Sequence, residues 1–112
     1  MPLLRIETNQ PAADIDRLLK TASELVAHQL GKPEAFVMIS YQHTPHMVFG
    51  GTSAPLAYLE LKSIGLPEQE TSEISAALCN LMEQELGVPR DRTYVAFANA
   101  ERHMWGFKGT TF

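Results

Sequence analysis

The sequence predicts an α+β domain: a tandem β-α-β repeat forming a four-stranded mixed sheet with two helices on one face. Three observations predict it. The segments QLGKPEAFVMISY (Gln29 to Tyr41) and ELGVPRDRTYVAF (Glu85 to Phe97) both read Leu-Gly-x-Pro before an apolar run, and they lie half a chain length apart in 112 residues. Each is preceded by apolar residues at spacings of three and four, the signature of an amphipathic helix. Runs of strand-forming residues flank both helices.

The first strand is expected over Leu3–Thr8, with Pro2 at its head. Proline cannot donate to a ladder, so strand starts are among the few positions it can take. The first helix is marked by Ile15, Leu18, Leu19, Ala22, Leu25, Val26 and Leu30. Pro11 lies near its start, where a missing N–H costs nothing. Gly31 suits a left-handed C-terminal cap, and Pro33 stops the helix. The second strand is expected over Phe36–Gln42. Its apolar residues from Phe36 to Ile39 are consecutive, which predicts burial on both faces.

The third strand is expected over Ala57–Ile64. Ile74, Ala77, Leu78, Leu81, Met82 and Leu86 define the second helix. Pro67 lies near its start, and Glu68, Glu70 and Glu73 complement the positive end of its dipole. Gly87 and Pro89 repeat the stop signal, and the fourth strand is expected over Thr93–Ala98. The repeat pairs Leu18 with Ile74, Leu25 with Leu81, Val26 with Met82 and Leu30 with Leu86. It also pairs Pro2-Leu3 with Tyr58-Leu59. With both helices on one face, the other face carries the polar Arg5, Glu60 and Lys62 and has no cover from this chain. The tail adds Trp105, Phe107 and Phe112. A half-polar open face with an aromatic tail points to a symmetric oligomer.

Composition bounds the function. The chain is long enough for one domain with a real core. Its net charge of −4, from 9 basic and 13 acidic residues, argues against nucleic acid or an anionic membrane as partner. No apolar run reaches membrane-spanning length, and no basic segment followed by an apolar one opens the chain. Cys79 stands alone, which rules out an intrachain disulfide and fits a reducing compartment, so a cytoplasmic protein is expected.

Two residues suggest chemistry. Removal of Met1 would leave Pro2 as a secondary amine at a strand head. An α-amine has a reference pKa of about 7.7–8.0, and apolar surroundings lower it. A base near neutral pH suits proton abstraction beside a carbonyl. Lys32, between a helix cap and a strand, is a candidate cation for a substrate carboxylate; the plainer reading is a surface lysine at a helix C-terminus. His43, His46 and His103 read as loop histidines, because Pro45 prevents helical presentation of the first two. The glycines of FGGTS (Phe49 to Ser53) read as turn formers rather than a phosphate loop. Cys79, beside Leu78, reads as a small core residue.

Together these segments resemble the macrophage migration inhibitory factor and D-dopachrome tautomerase family of the tautomerase superfamily. The resemblance spans nearly the whole chain. It is carried by the opening MP, TNxP (Thr8 to Pro11), GKP (Gly31 to Pro33), FGGTSxP (Phe49 to Pro55), SIG (Ser63 to Gly65), DRxYV (Asp91 to Val95) and the closing TTF. It implies one tautomerase-type domain over 1–112, with internal repeats 1–56 and 57–112. It also implies a homotrimer whose three sheets surround a channel, with sites between neighbouring subunits. The resemblance makes Pro2 the catalytic base and gives Lys32 the substrate carboxylate. Ile64 offers its backbone N–H, Tyr94 enters from the adjacent subunit, and Phe107, with Trp105 close by, walls the pocket.

The implied activity is that of an isomerase, an intramolecular oxidoreductase of the phenylpyruvate tautomerase type. It acts on 2-keto acids and uses no cofactor or metal. Departures narrow it. Leu56 and Leu59 stand where vertebrate members carry Cys-x-x-Cys, so oxidoreductase chemistry through that motif is excluded. Ala96 replaces an Asn that would bond a substrate hydroxyl. Arg5 has no arginine partner, which ranks the superfamily's dehalogenase and decarboxylase chemistries lower. The alternatives are a cytokine-like or receptor-binding protein with a vestigial pocket, secreted without a signal peptide, and a non-catalytic ligand-binding regulatory domain. No receptor epitope is marked.

Overall fold

The computed structural model describes residues 1–112. In chain order it contains β1 (Leu3–Thr8), α1 (Ile15–Leu30), β2 (Met38–His43), β3 (Ala57–Ile64), α2 (Thr71–Leu86), β4 (Thr93–Ala100), β5 (Gly106–Phe107) and β6 (Thr110–Thr111). The main sheet runs β2-β1-β3-β4. The β1–β2 and β3–β4 pairs are parallel, and β1–β3 is antiparallel. This is the mixed four-stranded sheet with two helices that the repeat predicts.

Strand alternation decides which side the helices cover. Leu4 and Ile6 of β1 and Leu59 and Leu61 of β3 are buried. They meet Leu18, Ala22 and Val26 of α1 and Ile74, Leu78 and Met82 of α2 in one core. Full burial of each large apolar side chain contributes about 1.5–3 kcal/mol. The helices begin and end for local reasons. Asp14 caps α1, its carboxylate accepting from the Arg17 N–H at 2.9 Å. Gly31 and Gly87 close the two helices at φ 61° and 66°, conformations disfavoured for residues with a Cβ.

The repeat holds through the helices and β2/β4. Val26 and Met82 are both buried, as are Leu30 and Leu86. Ile39 and Tyr41 of β2, like Val95 and Phe97 of β4, pack against the core. It slips at the first strand of each unit. Leu59 is buried against the helices, whereas Leu3, its expected equivalent, is half-buried on the opposite face. A one-residue shift exchanges faces, so the pairing of Pro2-Leu3 with Tyr58-Leu59 is corrected to a neighbouring register.

Three strand boundaries also differ from expectation, one of them the end of the second strand, at His43 instead of Gln42. Residues Glu34–Phe36 form a 3₁₀ turn, with the Phe36 N–H bonded to Pro33 O and the Val37 N–H to Glu34 O. The second strand therefore starts at Met38 instead of Phe36. Its apolar run is not buried on both faces of this chain: Phe36 is 44% and Met38 65% exposed. The fourth strand extends to Ala100, because Asn99 and Ala100 continue the ladder opposite Ser63 and Ile64. The β5–β6 hairpin in the tail has no counterpart in the sequence-based reading. It turns through Lys108 and Gly109, both at positive φ.

Leu59 sits at the centre of the helix-covered face. Leu59→Ala should lower unfolding free energy by about 3 kcal/mol, read from the urea midpoint at unchanged slope. A loss below about 1 kcal/mol would mean that this face does not carry the core.

Candidate active site

Pro2 is fully buried at the head of β1, and its carbonyl accepts the Met38 N–H at 3.0 Å. A cavity of about 590 Å³ opens beside it. One side is made by Met1 to Leu3, a second by the turn into β2, and a third by Met104 to Phe107 of the tail. Nine of its twelve lining residues are hydrophobic, and several of them, Met38 and Met104 among them, are exposed, so the cavity is an open apolar groove. The aromatic wall holds itself together: Phe36 meets Phe107 edge-on at 6.1 Å, and Phe107 stacks on Phe112 at 5.5 Å.

The terminal amine of Met1 borders this space. Its pKa is held below the usual α-amine value, chiefly by burial and secondly by the positive charge of Lys32. Both causes oppose the ammonium. Lys32 follows the Gly31 cap, and its backbone N–H donates to Ala27 O at 3.0 Å. Its Nζ lies 3.7 Å from where a Cβ on Gly65 would stand. The ammonium therefore lies against the turn that ends β3, next to the half-buried Ile64. Gly65 has φ 64°, so a side chain there would be both strained and close to the lysine.

Of the five residues singled out from the sequence, Pro2 and Phe107 line the cavity, while Lys32 and Ile64 gather at the neighbouring turn. Tyr94 lies elsewhere. It pairs with Tyr58, which pairs with Glu7, whereas Leu3 at the cavity pairs with Lys62. Four strand positions separate the two ends, roughly 13 Å. Tyr94 is 65% exposed and packs on Phe49 with ring centres 4.7 Å apart. Within one chain it shares no pocket with Pro2. Ala96, opposite Glu60, also lies away from the cavity. His43 and His46 are exposed, and Cys79 is buried on α2.

Two contributors were absent from the sequence-based reading. Arg92 organises the glycine loop. Its Nε donates to Pro55 O at 2.9 Å, Nη1 to Phe49 O at 3.0 Å, and Nη2 to Thr52 O and Ala54 O at 3.0 Å each. It thereby holds Phe49 against Tyr94. An arginine just before a strand, next to a glycine-rich loop, was the available signal. Lys62 lines the cavity itself. Its signal was the two-residue period of a strand, which sets it on the same face as Ile64.

A duplicated β-α-β chain with proline at the head of its first strand is of the tautomerase-superfamily class. A family model described as macrophage migration inhibitory factor (MIF) matches residues 1–112, and the chain belongs to that family. It is 40% identical to a macrophage migration inhibitory factor homolog of Brugia malayi, over 100% of this chain and 99% of that protein. The crystal structure of a homologue from Prochlorococcus marinus superposes with a TM-score of 0.93 at 43% identity, covering 98% of each chain. The factor from Toxoplasma gondii gives 0.91 at 38% identity, covering 98% of this chain and 99% of that one.

The depressed amine has a measurable consequence. NMR titration of the terminal amine should give a pKa below about 7.7. Lys32→Ala should raise it only partway, since burial is the larger cause. Because the folded chain holds this proton less tightly than the unfolded one, its contribution to stability is present above the ordinary amine pKa. It is lost as pH falls through the depressed folded value. A wild-type value at or above 8 would remove the apolar wall as the cause.

Proposed function

We propose that this protein is a cofactor-free keto–enol tautomerase of 2-keto acids with an apolar, phenylpyruvate-like body. Pro2, freed by removal of Met1, is the general base. The observation that carries the reading is the terminal amine held below its usual pKa at the edge of an apolar cavity. With Met1 removed, the amine moves one residue inward, to a position that is already fully buried. A neutral amine there takes a proton from the carbon beside the carbonyl. The C–H electron pair becomes the enol double bond, and the carbonyl oxygen gains a proton. No electrons leave the substrate, so the step needs no redox partner.

Lys32 binds the substrate carboxylate, and the Ile64 N–H adds a hydrogen bond at the same end, stabilising charge on the oxygens. Phe107 holds the ring and excludes water. Tyr94 acts in a neighbour's site, because its own chain sets it at the far end of the sheet. A homotrimer follows from that placement together with a sheet face on which Met38, Tyr58 and Tyr94 are exposed. The working location is the cytoplasm. No helix is long and apolar enough to cross a membrane, and an anionic chain does not favour nucleic acid.

Two measurements test the reading. Enolisation of phenylpyruvate, followed by absorbance, should be lost when Met1 is retained, because the Pro2 nitrogen is then an amide. Thermal unfolding of the two samples should nearly coincide. Equal rates with and without Met1 would refute Pro2 as base. Sedimentation equilibrium at micromolar concentration should give three times the 12.4 kDa chain mass. A stable monomer would leave the site without Tyr94 and break the assembly argument.

A further inference from the structure

The cavity beside Pro2 contains one feature that a phenyl ring does not use. Among its lining residues Lys62 is the only one with an ionisable side chain, and no carboxylate lines the wall. Lys62 projects from β3 in register with Leu3 on β1 and Ala98 on β4. Its Nζ stands 6.0 Å from the ring centre of Trp105, which covers it from the tail. The nearest acid on its own strand face is occupied: Glu60 pairs with Arg5 at 3.8 Å and accepts the Tyr58 hydroxyl at 3.1 Å. None of the ion pairs in the chain involves Lys62. A lysine with no acid partner therefore faces an apolar cavity, in a chain whose acidic residues outnumber its basic ones.

Lys32 does not duplicate this charge. It reaches the terminus by way of the Gly65 turn, whereas Lys62 lies under Trp105 on the open sheet face. Lys62 lines the cavity itself, whereas Lys32 stands at the neighbouring turn. Lys62, Leu3 and Met38 stand in one cross-strand row on the open face, so the surface beside Lys62 is apolar. A ligand lying across them keeps a hydrophobic middle and presents one anionic group to each lysine. Lys62 is exposed on that face, and a charge-assisted contact between its ammonium and a carboxylate is directional; with no protein carboxylate on the wall, the ligand supplies one.

From this arrangement we infer that Lys62 is a specificity-determining anion anchor and that the preferred substrates are dianionic 2-keto acids. Such a substrate carries its 2-oxocarboxylate at the Lys32 end and a second carboxylate, beyond an apolar body, at Lys62. The inference rests on the tautomerase reading for which end reacts. Trp105 completes the anchor: its ring face holds the ammonium stem and limits solvent at the second carboxylate.

The test compares phenylpyruvate with 4-carboxyphenylpyruvate, which differ only in the second carboxylate. Both are titrated by calorimetry, under conditions where enolisation is at equilibrium, into wild type, Lys62→Met and Lys62→Arg. Lys62→Met keeps the stem and deletes the charge. The ratio of the two dissociation constants should favour the dianion in the wild type. It should shift by roughly tenfold against the dianion in Lys62→Met and return in Lys62→Arg. Rising salt should weaken dianion binding more than monoanion binding. An unchanged ratio in Lys62→Met overturns the inference, as does a ratio that Lys62→Arg fails to restore. Absence of binding by either ligand to the wild type overturns it as well. Binding needs no turnover, so the two readings fail separately. The ratio shift without enolisation removes Pro2 as base and leaves the anchor. Enolisation of both ligands with an unchanged ratio removes the anchor and leaves the base.

Discussion

β1 is paired along its whole length on both sides, in parallel with β2 and antiparallel with β3. The chain terminus is therefore the end of a central strand, which is an uncommon place for one. Terminal residues are ordinarily loose unless a sheet or a docking helix ties them down. Here the Pro2 carbonyl is already in the ladder through the Met38 N–H, and the ring is fully buried. The terminal amine, on Met1, lies one residue before this anchored proline and borders the cavity. That fixation is what lets burial act on it: a frayed terminus would be solvated and would titrate normally.

Position alone would make the amine a poor base if the surroundings supplied a counter-charge. A carboxylate at the cavity wall would hold the amine protonated. The chain has more acids than bases, yet none of its acids lines the cavity. They are used elsewhere. Glu83 and Glu85 pair with Arg90 and Arg17 on the helix side, and Glu60 pairs with Arg5 on the open sheet face. The charge pattern at the cavity wall is thus the reverse of the overall balance.

Much of the fold was legible because helices and their caps are local. Apolar spacing, Gly31 and Gly87 are written within a few residues of the structures they specify. The limits of β2 were not, since Phe36 to Ile39 reads equally as a strand buried on both faces. The structure resolves the run into two duties: Val37 and Ile39 pack on the core, while Phe36 and Met38 wall the cavity. The β5–β6 hairpin escaped notice because two-residue strands leave no alternating pattern. Around the cavity, the strand head with Pro2 and the turns that bear Lys32 and Ile64 are legible from local sequence. Arg92 and Lys62 are not, because their partners are carbonyls and a cavity formed by segments distant in sequence. The strand period places Lys62 on the open face, but not the cavity it meets there.

The duplication explains why such a site forms only once per chain. At the stop of each helix the two units read Gly31-Lys32-Pro33 and Gly87-Val88-Pro89. The backbone device is the same, but Val88 is buried in the core, whereas Lys32 turns its ammonium toward the terminus. The first strand differs as well. β3 is preceded by Leu56, whose own N–H is bonded to Asn9, so no free amine can occur at its head. Its register is also shifted by one residue relative to β1, which moves Leu59 into the core and sends Lys62 to the open face. The copies remain alike where packing demands it, at Leu18, Ala22, Val26 and Leu30 against Ile74, Leu78, Met82 and Leu86. They diverge at the strand head and the helix stop, where Val88 is buried in the core and Lys32 is only half-buried. The first unit alone therefore has a cation at its helix stop, near the strand head that carries Pro2.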